Sequence, residues 1–132
     1  KKEQKEEIDI IYYFLIPEHK IYSDRKDWND LDSIKSAKSD KVVILYAVQR
    51  LRWKIEYTNV VYSLLPPEFA FSQLQSIYES ILGRILDKRN FRKKILSLNI
   101  LKNTGHLKNL GKARPAEMFS FKKRKISFVE IL

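Results

Sequence analysis

Two short amphipathic segments, separated by a glycine and an aspartate, constrain the fold of this sequence more than any other feature. The first, FSQLQSIYESILG, has apolar residues at the i, i+3, i+4, i+7 spacing of one helix face, at Leu74, Ile77, Tyr78 and Ile81. Ser72 and Gln75 predict a capping box at its start, and Gly83 predicts its end. The second, LDKRNFRKKILSL, has Asp87 as its expected N-cap and an inner face of Phe91, Ile95 and Leu98. Two short helices joined by a tight turn that contains glycine are typical of a helix-turn-helix.

The residues after the second helix predict a wing. Residues 100–104 are a candidate strand, and residues 117–121 (EMFSF) alternate like a returning strand. Between them the segment GHLKNLGKARPA holds two of the three glycines and three cations, Lys108, Lys112 and Arg114. Helix, helix, strand, basic loop and strand are the order of a winged helix-turn-helix, so the predicted fold class is α+β. Residues 126–132 are expected to add an edge strand or to form a loose tail.

The first 39 residues differ from the rest. Residues 8–16 (IDIIYYFLI) are β-branched and aromatic and end at Pro17, which predicts a strand buried on both faces. Residues 28–34 predict a short strand or a turn. We therefore expect three segments: an incomplete N-terminal part over residues 1–39, a winged helix with a long linking helix over residues 40–125, and a tail over residues 126–132.

The linking helix is predicted to begin at Asp40 as its N-cap and to run to about residue 57. One of its faces is apolar, with Ile44, Val48, Leu51 and Ile55. A second, aromatic stripe is formed by Tyr46, Trp53 and Tyr57. A helix that is apolar on two sides must bury both. Two interpretations stay open: both faces pack inside one domain, or the aromatic stripe contacts a neighbouring domain or a partner subunit.

The net charge of +10 is concentrated in one segment. Residues 84–125 contain 14 basic and 2 acidic side chains, whereas residues 1–83 contain 12 basic and 13 acidic ones. Such an asymmetry favours a polyanionic partner over a merely soluble basic face.

The second short helix carries its cations where DNA would meet them. In a helix-turn-helix the N-terminal end of this helix enters the major groove, where Arg reads guanine and Asn reads adenine. Cations at a helix N-terminus cost a few tenths to about 1 kcal/mol each, and an arriving phosphate offsets that cost. We expect Arg89, Asn90 and Arg92 to read bases. Phosphate contacts are expected from Lys88, Lys93, Lys94 and the wing cations Lys108, Lys112 and Arg114, with further backbone contacts from Ser72 and Gln73.

The run RLRWKIEYTNVVYSLLPPEFAFSQLQSIYESILGRILDKRNFRKKILSLNIL, followed by TG, a basic loop and RPAEMFSF, resembles the C-terminal part of the Nudix-related transcriptional regulators. The similarity covers roughly residues 40–121, and LLPPEF, LQSIYE, ILGR and LDKRNFRKKIL occur in the family's order. The resemblance implies the winged-helix DNA-binding domain of a dimeric repressor or activator. It implies a recognition helix over residues 87–98 in the major groove and a wing over residues 105–115 on the DNA backbone or in the minor groove. A homodimer would bind palindromic double-stranded DNA, with half-sites about one helical turn apart.

Upstream, IDIIYYFLIPE and DWNDLDSI are more weakly similar to the last strands of a Nudix domain, which in this family binds a sugar or an ADP-ribose-like effector. The resemblance thus implies a remnant of a Nudix-like α/β sandwich at the N-terminus. The Nudix box, whose glutamates hold Mg²⁺, is absent from the sequence, so we expect neither hydrolysis nor a cofactor. Because the sequence begins KKEQKEE without a methionine, we expect it to be a fragment or a processed chain.

Several classes of function find no support in the sequence. The lack of cysteine excludes disulfides and thiolate metal sites, and the two histidines, His19 and His106, have no ligand spacing around them. The longest apolar run has seven residues, too few to cross a membrane, and the expected location is the cytoplasm. Two alternatives to a DNA-binding regulator stay open. One is a fragment of a Nudix hydrolase acting on an ADP-ribose-like or sugar-nucleotide substrate, and the other is a module whose basic helix binds RNA or an acidic protein.

Overall fold

The computed structural model describes residues 8–17, 20, 28–33, 38–111 and 114–132 of the chain. Within these ranges three α-helices and three strands follow one another in the order of a winged helix. They are α1 (Lys38–Tyr57), β1 (Phe69–Ala70), α2 (Phe71–Leu82), α3 (Lys88–Ser97), β2 (Leu101–Lys108) and β3 (Ala116–Phe121). Short 3₁₀ turns form at Leu31–Ser33 and Val60–Ser63. The predicted α+β winged helix is confirmed.

The three strands form one small antiparallel sheet with β3 in the centre, in the order β1-β3-β2. Phe69 of β1 pairs with Phe119, and β2 pairs with β3 along the whole wing hairpin. The register of that hairpin shifts between Asn103 and Leu107, where the Thr104 hydroxyl donates to the Met118 carbonyl at 3.2 Å. β2 ends at Lys108 rather than at residue 104, so the wing is stiffened by strand pairing farther along than the sequence predicted.

Local capping explains where α2 and α3 begin and end. The side chain of Asp87 accepts a hydrogen bond from the Asn90 amide at 2.8 Å, which confirms Asp87 as the N-cap of α3. Gly83 adopts the left-handed conformation, with φ of 69°, that ends α2. The predicted box of Ser72 with Gln75 is wrong. Ala70 is the N-cap of α2, and the Gln73 Oε1 accepts from the Ala70 amide at 2.8 Å, because Gln73 stands at the third helical position.

The long helix α1 begins at Lys38, so Asp40 lies in its first turn and is not the N-cap. A carboxylate in the first turn still interacts favourably with the helix dipole. An aspartate near the start of a helix can therefore be mistaken for the N-cap when only the sequence is known. The predicted apolar face is confirmed: Ile55 is fully buried, and Ile44, Val48 and Leu51 are half-buried. No helix in the described ranges is long and apolar enough to span a membrane.

The core lies between the two short helices and the sheet. Phe71 packs edge-on against Phe91 and Phe119, with ring centroids 5.8 Å apart in both pairs. Ile95 of α3 is fully buried, and Phe69 of β1 is as well. Burial of a side chain of this size contributes about 1.5–3 kcal/mol. The orientation of α3 is therefore fixed by packing against α2 and β3.

The C-terminal residues return to the end of α1 and are part of this core. The amide of Ile131 donates to the Glu56 carbonyl at 2.7 Å, and the Ile131 side chain is fully buried. Nearer the sheet, the Asn59 side chain accepts from the Ser127 amide at 2.7 Å and donates to the Lys125 carbonyl at 3.0 Å. An isolated β-bridge joins Thr58 to Phe128. Residues 126–132 thus form an anchored extended segment, which is close to the edge-strand prediction.

The N-terminal predictions fare differently. Residues 8–17 form neither helix nor strand, and side chains such as Ile8, Tyr12 and Phe14 are between 75% and 87% exposed. A strand that is buried on both faces must be covered by other elements on both faces, and the described part of the chain does not supply such cover for residues 8–17. Within residues 28–33, Leu31–Ser33 form a 3₁₀ turn, which agrees with the turn alternative of the prediction, while Ile34 lies outside the described residues. No strand of a Nudix-like sandwich is formed in the described residues before α1.

Candidate nucleic-acid interface

The first turns of α3 present a row of exposed polar and basic side chains. Lys88, Arg89, Asn90 and Lys93 are all exposed, and the three cations among them form no ion pair within the described part of the chain. The carboxylate of Asp87 does not neutralise these cations, because its Oδ1 accepts a hydrogen bond from the Asn90 amide of the same turn at 2.8 Å. The N-terminal end of α3 is therefore cationic and accessible, as expected for a helix that meets phosphates and base edges.

Arg92 differs from these neighbours because it is held within the protein. Its guanidinium donates to the Glu117 carboxylate at 3.1 Å and lies over two rings, 4.9 Å from the centre of Phe71 and 5.4 Å from that of Phe119. The side chains of Arg92 and Glu117 are 39% and 54% exposed, so the ion pair itself contributes no more than about 1 kcal/mol. Stacking on an aromatic face adds about 0.5–1 kcal/mol. The sequence predicted Arg92 as a base reader, and the structure gives it contacts to α2 and β3 instead of a free guanidinium.

The turn between α2 and α3 is set by one carboxylate and one amide. The Glu79 Oε1 accepts from the Leu86 amide and from the Gln75 side chain, both at 2.9 Å, and Gln75 also donates to the Leu86 carbonyl at 3.1 Å. The Leu86 hydrogen bond, followed by that of Gln75, lowers the pKa of Glu79 from its usual value. Since Leu86 directly precedes the N-cap of α3, this network fixes the direction in which the helix leaves the turn.

A second acidic residue ties the wing to β1. The Glu68 carboxylate lies 2.6 Å from the His106 Nδ1 and 3.4 Å from the Lys108 Nζ. The hydrogen bond from His106 is the main cause of a lowered pKa of Glu68, and partial burial opposes it. Glu68 immediately precedes β1, and β1 leads directly into α2. The contact therefore places the base of the wing beside the start of α2.

The remaining predicted contact residues are distributed around this arrangement. Ser72 and Gln73 are exposed at the start of α2, next to Phe71, the ring on which Arg92 stacks. The Gln73 oxygen is occupied by the Ala70 amide. Arg114 is exposed near the end of the wing loop, and Lys112 lies outside the described residues. The start of α2 and strand β3 of the wing meet α3 at Arg92, through Phe71, Glu117 and Phe119.

Comparison with protein families shows which winged helix this domain is similar to. Residues 61–121 match the model of the NrtR DNA-binding winged helix domain. The match begins in the 3₁₀ turn after α1 and ends with the last residue of β3.

A curated protein and two solved structures are similar to this chain over a longer range. The ADPR responsive transcriptional repressor NtrR of Acinetobacter baylyi is 32% identical over 120 residues, which cover 84% of this chain and 48% of the repressor. The crystal structure of Shewanella oneidensis NrtR complexed with a 27mer DNA is 26% identical, with a TM-score of 0.58 over 70% of this chain and 42% of that one. A second Shewanella oneidensis NrtR structure is 27% identical, with a TM-score of 0.55 over 68% of this chain and 40% of that one. The chain spans about half the length of the curated relative it matches.

Outside the matched residues 61–121, the predicted aromatic stripe of α1 is largely exposed. Tyr46, Trp53 and Tyr57 are 61%, 47% and 48% exposed. Tyr57 stacks on the even more exposed Phe128 of the C-terminal segment, at a centroid distance of 6.2 Å. The interpretation in which both faces of α1 pack inside this domain does not hold for the described residues, because one face remains open.

Sequence reasoning missed the acidic residues of the interface. Glu68, Glu79 and Glu117 each organise an element of the winged helix, yet each has a partner between 7 and 38 residues away in the chain. The run of basic residues in the sequence predicted contacts for the cations and gave no role to these acidic residues. His106 is exposed and paired with Glu68. Among the described residues no group of three or more His, Asp or Glu side chains could hold a metal ion.

Proposed function

We propose that this chain is the DNA-binding part of a transcriptional regulator. The observation that carries the proposal is the winged helix of the NrtR family with an exposed, cationic N-terminal end on α3. In this proposal α3 enters the major groove, and the β2–β3 wing follows the backbone or the adjacent minor groove. The regulator acts on the chromosome, which locates it in the cytoplasm.

The individual contacts are proposed from their exposure and chemistry. Arg89 and Asn90 are the proposed base readers, since their side chains suit guanine and adenine edges. Phosphate and sugar contacts are proposed for the other exposed polar residues of this surface: Ser72, Gln73, Lys88, Lys93, Lys108 and Arg114. Lys112, which lies outside the described residues, is proposed to join them from its place in the basic wing loop of the sequence. The Lys108 Nζ lies 3.4 Å from the Glu68 carboxylate, so a DNA phosphate would either replace Glu68 as its partner or bind Lys108 beside it.

The protein is proposed to act as a homodimer on a palindromic site. Tyr46, Trp53 and Tyr57 form the proposed contact with a partner subunit or a neighbouring domain, because they are exposed on a helix whose other face is buried. Residues 1–39 are proposed to belong to the end of a preceding Nudix-like domain, with residues 40–125 as the DNA-binding unit and residues 126–132 as its tail. A related repressor is described as ADPR responsive, which supports an ADP-ribose-like effector bound outside the winged helix.

Enzymatic activity is not part of the proposal. The sequence contains no Nudix box, and the family match covers a DNA-binding domain. A fragment of a Nudix hydrolase is therefore not favoured.

The proposal is tested by selecting binders from random double-stranded DNA at two salt concentrations and sequencing them. An enriched palindrome is expected. Arg89→Ala and Asn90→Ala should each remove about 1–3 kcal/mol of discrimination at a base position. Arg50→Ala, which removes an exposed cation of α1 away from the interface, is the matched control and should leave the preference unchanged. Binding that is steeply salt-dependent and without any enriched sequence would reduce the function to phosphate attraction and contradict sequence-specific regulation.

A further inference from the structure

Arg92 lies on α3 but has contacts inside the protein that the exposed cations Lys88, Arg89 and Lys93 of the same helix do not have within the described residues. Its guanidinium reaches Glu117 of β3 at 3.1 Å and covers Phe71 of α2 and Phe119 of β3. One side chain of α3 thus touches both elements against which α3 packs. The adjacent Lys93 is exposed and has no ion pair within the described residues.

We propose that Arg92 is a positioning residue for sequence recognition: with Glu117 and the rings of Phe71 and Phe119 it sets the angle of α3 against the wing. This inference rests on the proposed DNA-binding function and deepens it. It removes Arg92 from the residues that read bases and adds Glu117, an acidic residue, to those on which recognition depends.

The chemistry of arginine explains why this position suits the role. A guanidinium is planar, stays charged, and can stack on an aromatic face while its edge donates to a carboxylate. The two rings belong to different elements, and they pack against each other at 5.8 Å. Arg92 lies over both of them, so a rotation of α3 would break the stack and the ion pair together.

The geometry also argues against direct base reading by Arg92. A guanidinium bound to Glu117 and stacked on two rings would have to give up these contacts before it formed a bidentate pair with guanine. Arg89, one turn earlier, has no such contacts to lose among the described residues.

Three roles for Arg92 give three different results in a selection experiment with the 132-residue chain. A base reader loses discrimination at a single base position when it is replaced. A phosphate contact leaves the preference intact and lowers the slope of log binding constant against log salt by about 0.9. A positioning residue weakens the preference across all positions of the half-site, since the base contacts of α3 are displaced together.

We therefore compare Arg92→Gln, Glu117→Gln and the double variant, with Lys93→Gln as the matched loss of one charge on the same helix. The expected result is a similar loss of preference at all positions, roughly threefold to tenfold, in both single variants, with no further loss in the double variant. Lys93→Gln should change the salt slope and keep the preference. If Arg92→Gln affects one base position only, or if Glu117→Gln leaves the preference unchanged, Arg92 is not a positioning residue.

The test separates this inference from the proposed function. If the unaltered chain enriches no sequence, the proposed function fails. The coupling of Arg92 to Glu117 is then measured by thermal unfolding of the same three variants. Non-additive melting temperatures support the link between α3 and β3, and additive ones overturn it.

Discussion

Arg52 of α1 donates from its Nε to the carbonyl oxygen of Ile81, at the C-terminal end of α2, at 2.8 Å. The contact satisfies a carbonyl in the last turn of α2 with a cation, which the helix dipole favours at that end. It also fills the space above Gly83, because a Cβ built on this glycine would lie 3.1 Å from the Arg52 Nη2. The linking helix and the helix-turn-helix are thus joined at the point where α2 ends.

Gly83→Ala should destabilise the fold by about 2 kcal/mol or more, because alanine at φ of 69° is strained by roughly 1–2 kcal/mol and its methyl group would displace Arg52. Gly111→Ala is the control, since Gly111 has φ of 77° but open space around it. Gly111→Ala should lower the free energy of unfolding only by the backbone strain, since no atom near Gly111 has to move. Thermal unfolding of both variants measures the difference, and equal costs would mean that the Arg52 contact has no energetic role.

Asp87→Ala should lower the free energy of unfolding by about 1 kcal/mol, since the amide of Asn90 loses its capping oxygen. Asp87→Asn keeps an oxygen at the same place and should cost no more than a few tenths of a kcal/mol. Denaturant unfolding of the two variants distinguishes capping from charge. A large loss in the Asn variant as well would indicate that the charge of Asp87 matters more than its hydrogen bond.

Glu79 makes the turn between α2 and α3 sensitive to acid. Its folded pKa is below the usual 4.5, so its contribution to stability is present above pH 4.5 and is lost as the pH falls through the folded value. Glu79→Gln should lower the melting temperature at pH 7 and should flatten the dependence on pH below 4.5. Glu130→Gln, which replaces an exposed acidic residue, is the control. An unchanged acid profile in Glu79→Gln would show that other carboxylates set it.

Ile131→Ala should destabilise the fold by about 2–4 kcal/mol, because it leaves a cavity where a fully buried side chain had been. Phe128→Ala, three residues earlier, removes a larger side chain that is 87% exposed and should cost less than about 1 kcal/mol. Urea unfolding compares them. If the aromatic substitution is the more damaging, the stack of Tyr57 on Phe128 anchors the segment instead of Ile131.

The parts of this fold that could be predicted from sequence are those whose causes are local. Gly83 ends α2, Asp87 begins α3, and the inner face of α3 follows from its 3.6-residue spacing. The start of α2 was misplaced because Ser72 matched the capping pattern, whereas the oxygen that caps the helix end belongs to Gln73 and acts on Ala70. An alanine N-cap carries no sequence signal of its own.

The parts that could not be predicted depend on residues far apart in the chain. Arg92 and Glu117 are 25 positions apart, and Asn59 and Ser127 are 68 apart. The basic residues of α3 therefore predicted correctly that this surface is cationic. They did not distinguish Arg92, which contacts Glu117 and two aromatic rings, from Arg89, which is exposed. The predicted strand over residues 8–16 failed for a related reason: strand propensity has an effect only where a pairing edge exists.

The order of the strands also determines when the sheet can assemble. β3 is the last of the three in the chain and lies between the other two. Neither β1 nor β2 has its partner until residues 116–121 have been synthesised, whereas α2 and α3 need only contacts close in sequence. Because local contacts form faster than distant ones, we expect α2 and α3 to form before the sheet. In a nascent chain we therefore expect α3 to form before the wing that holds it in place.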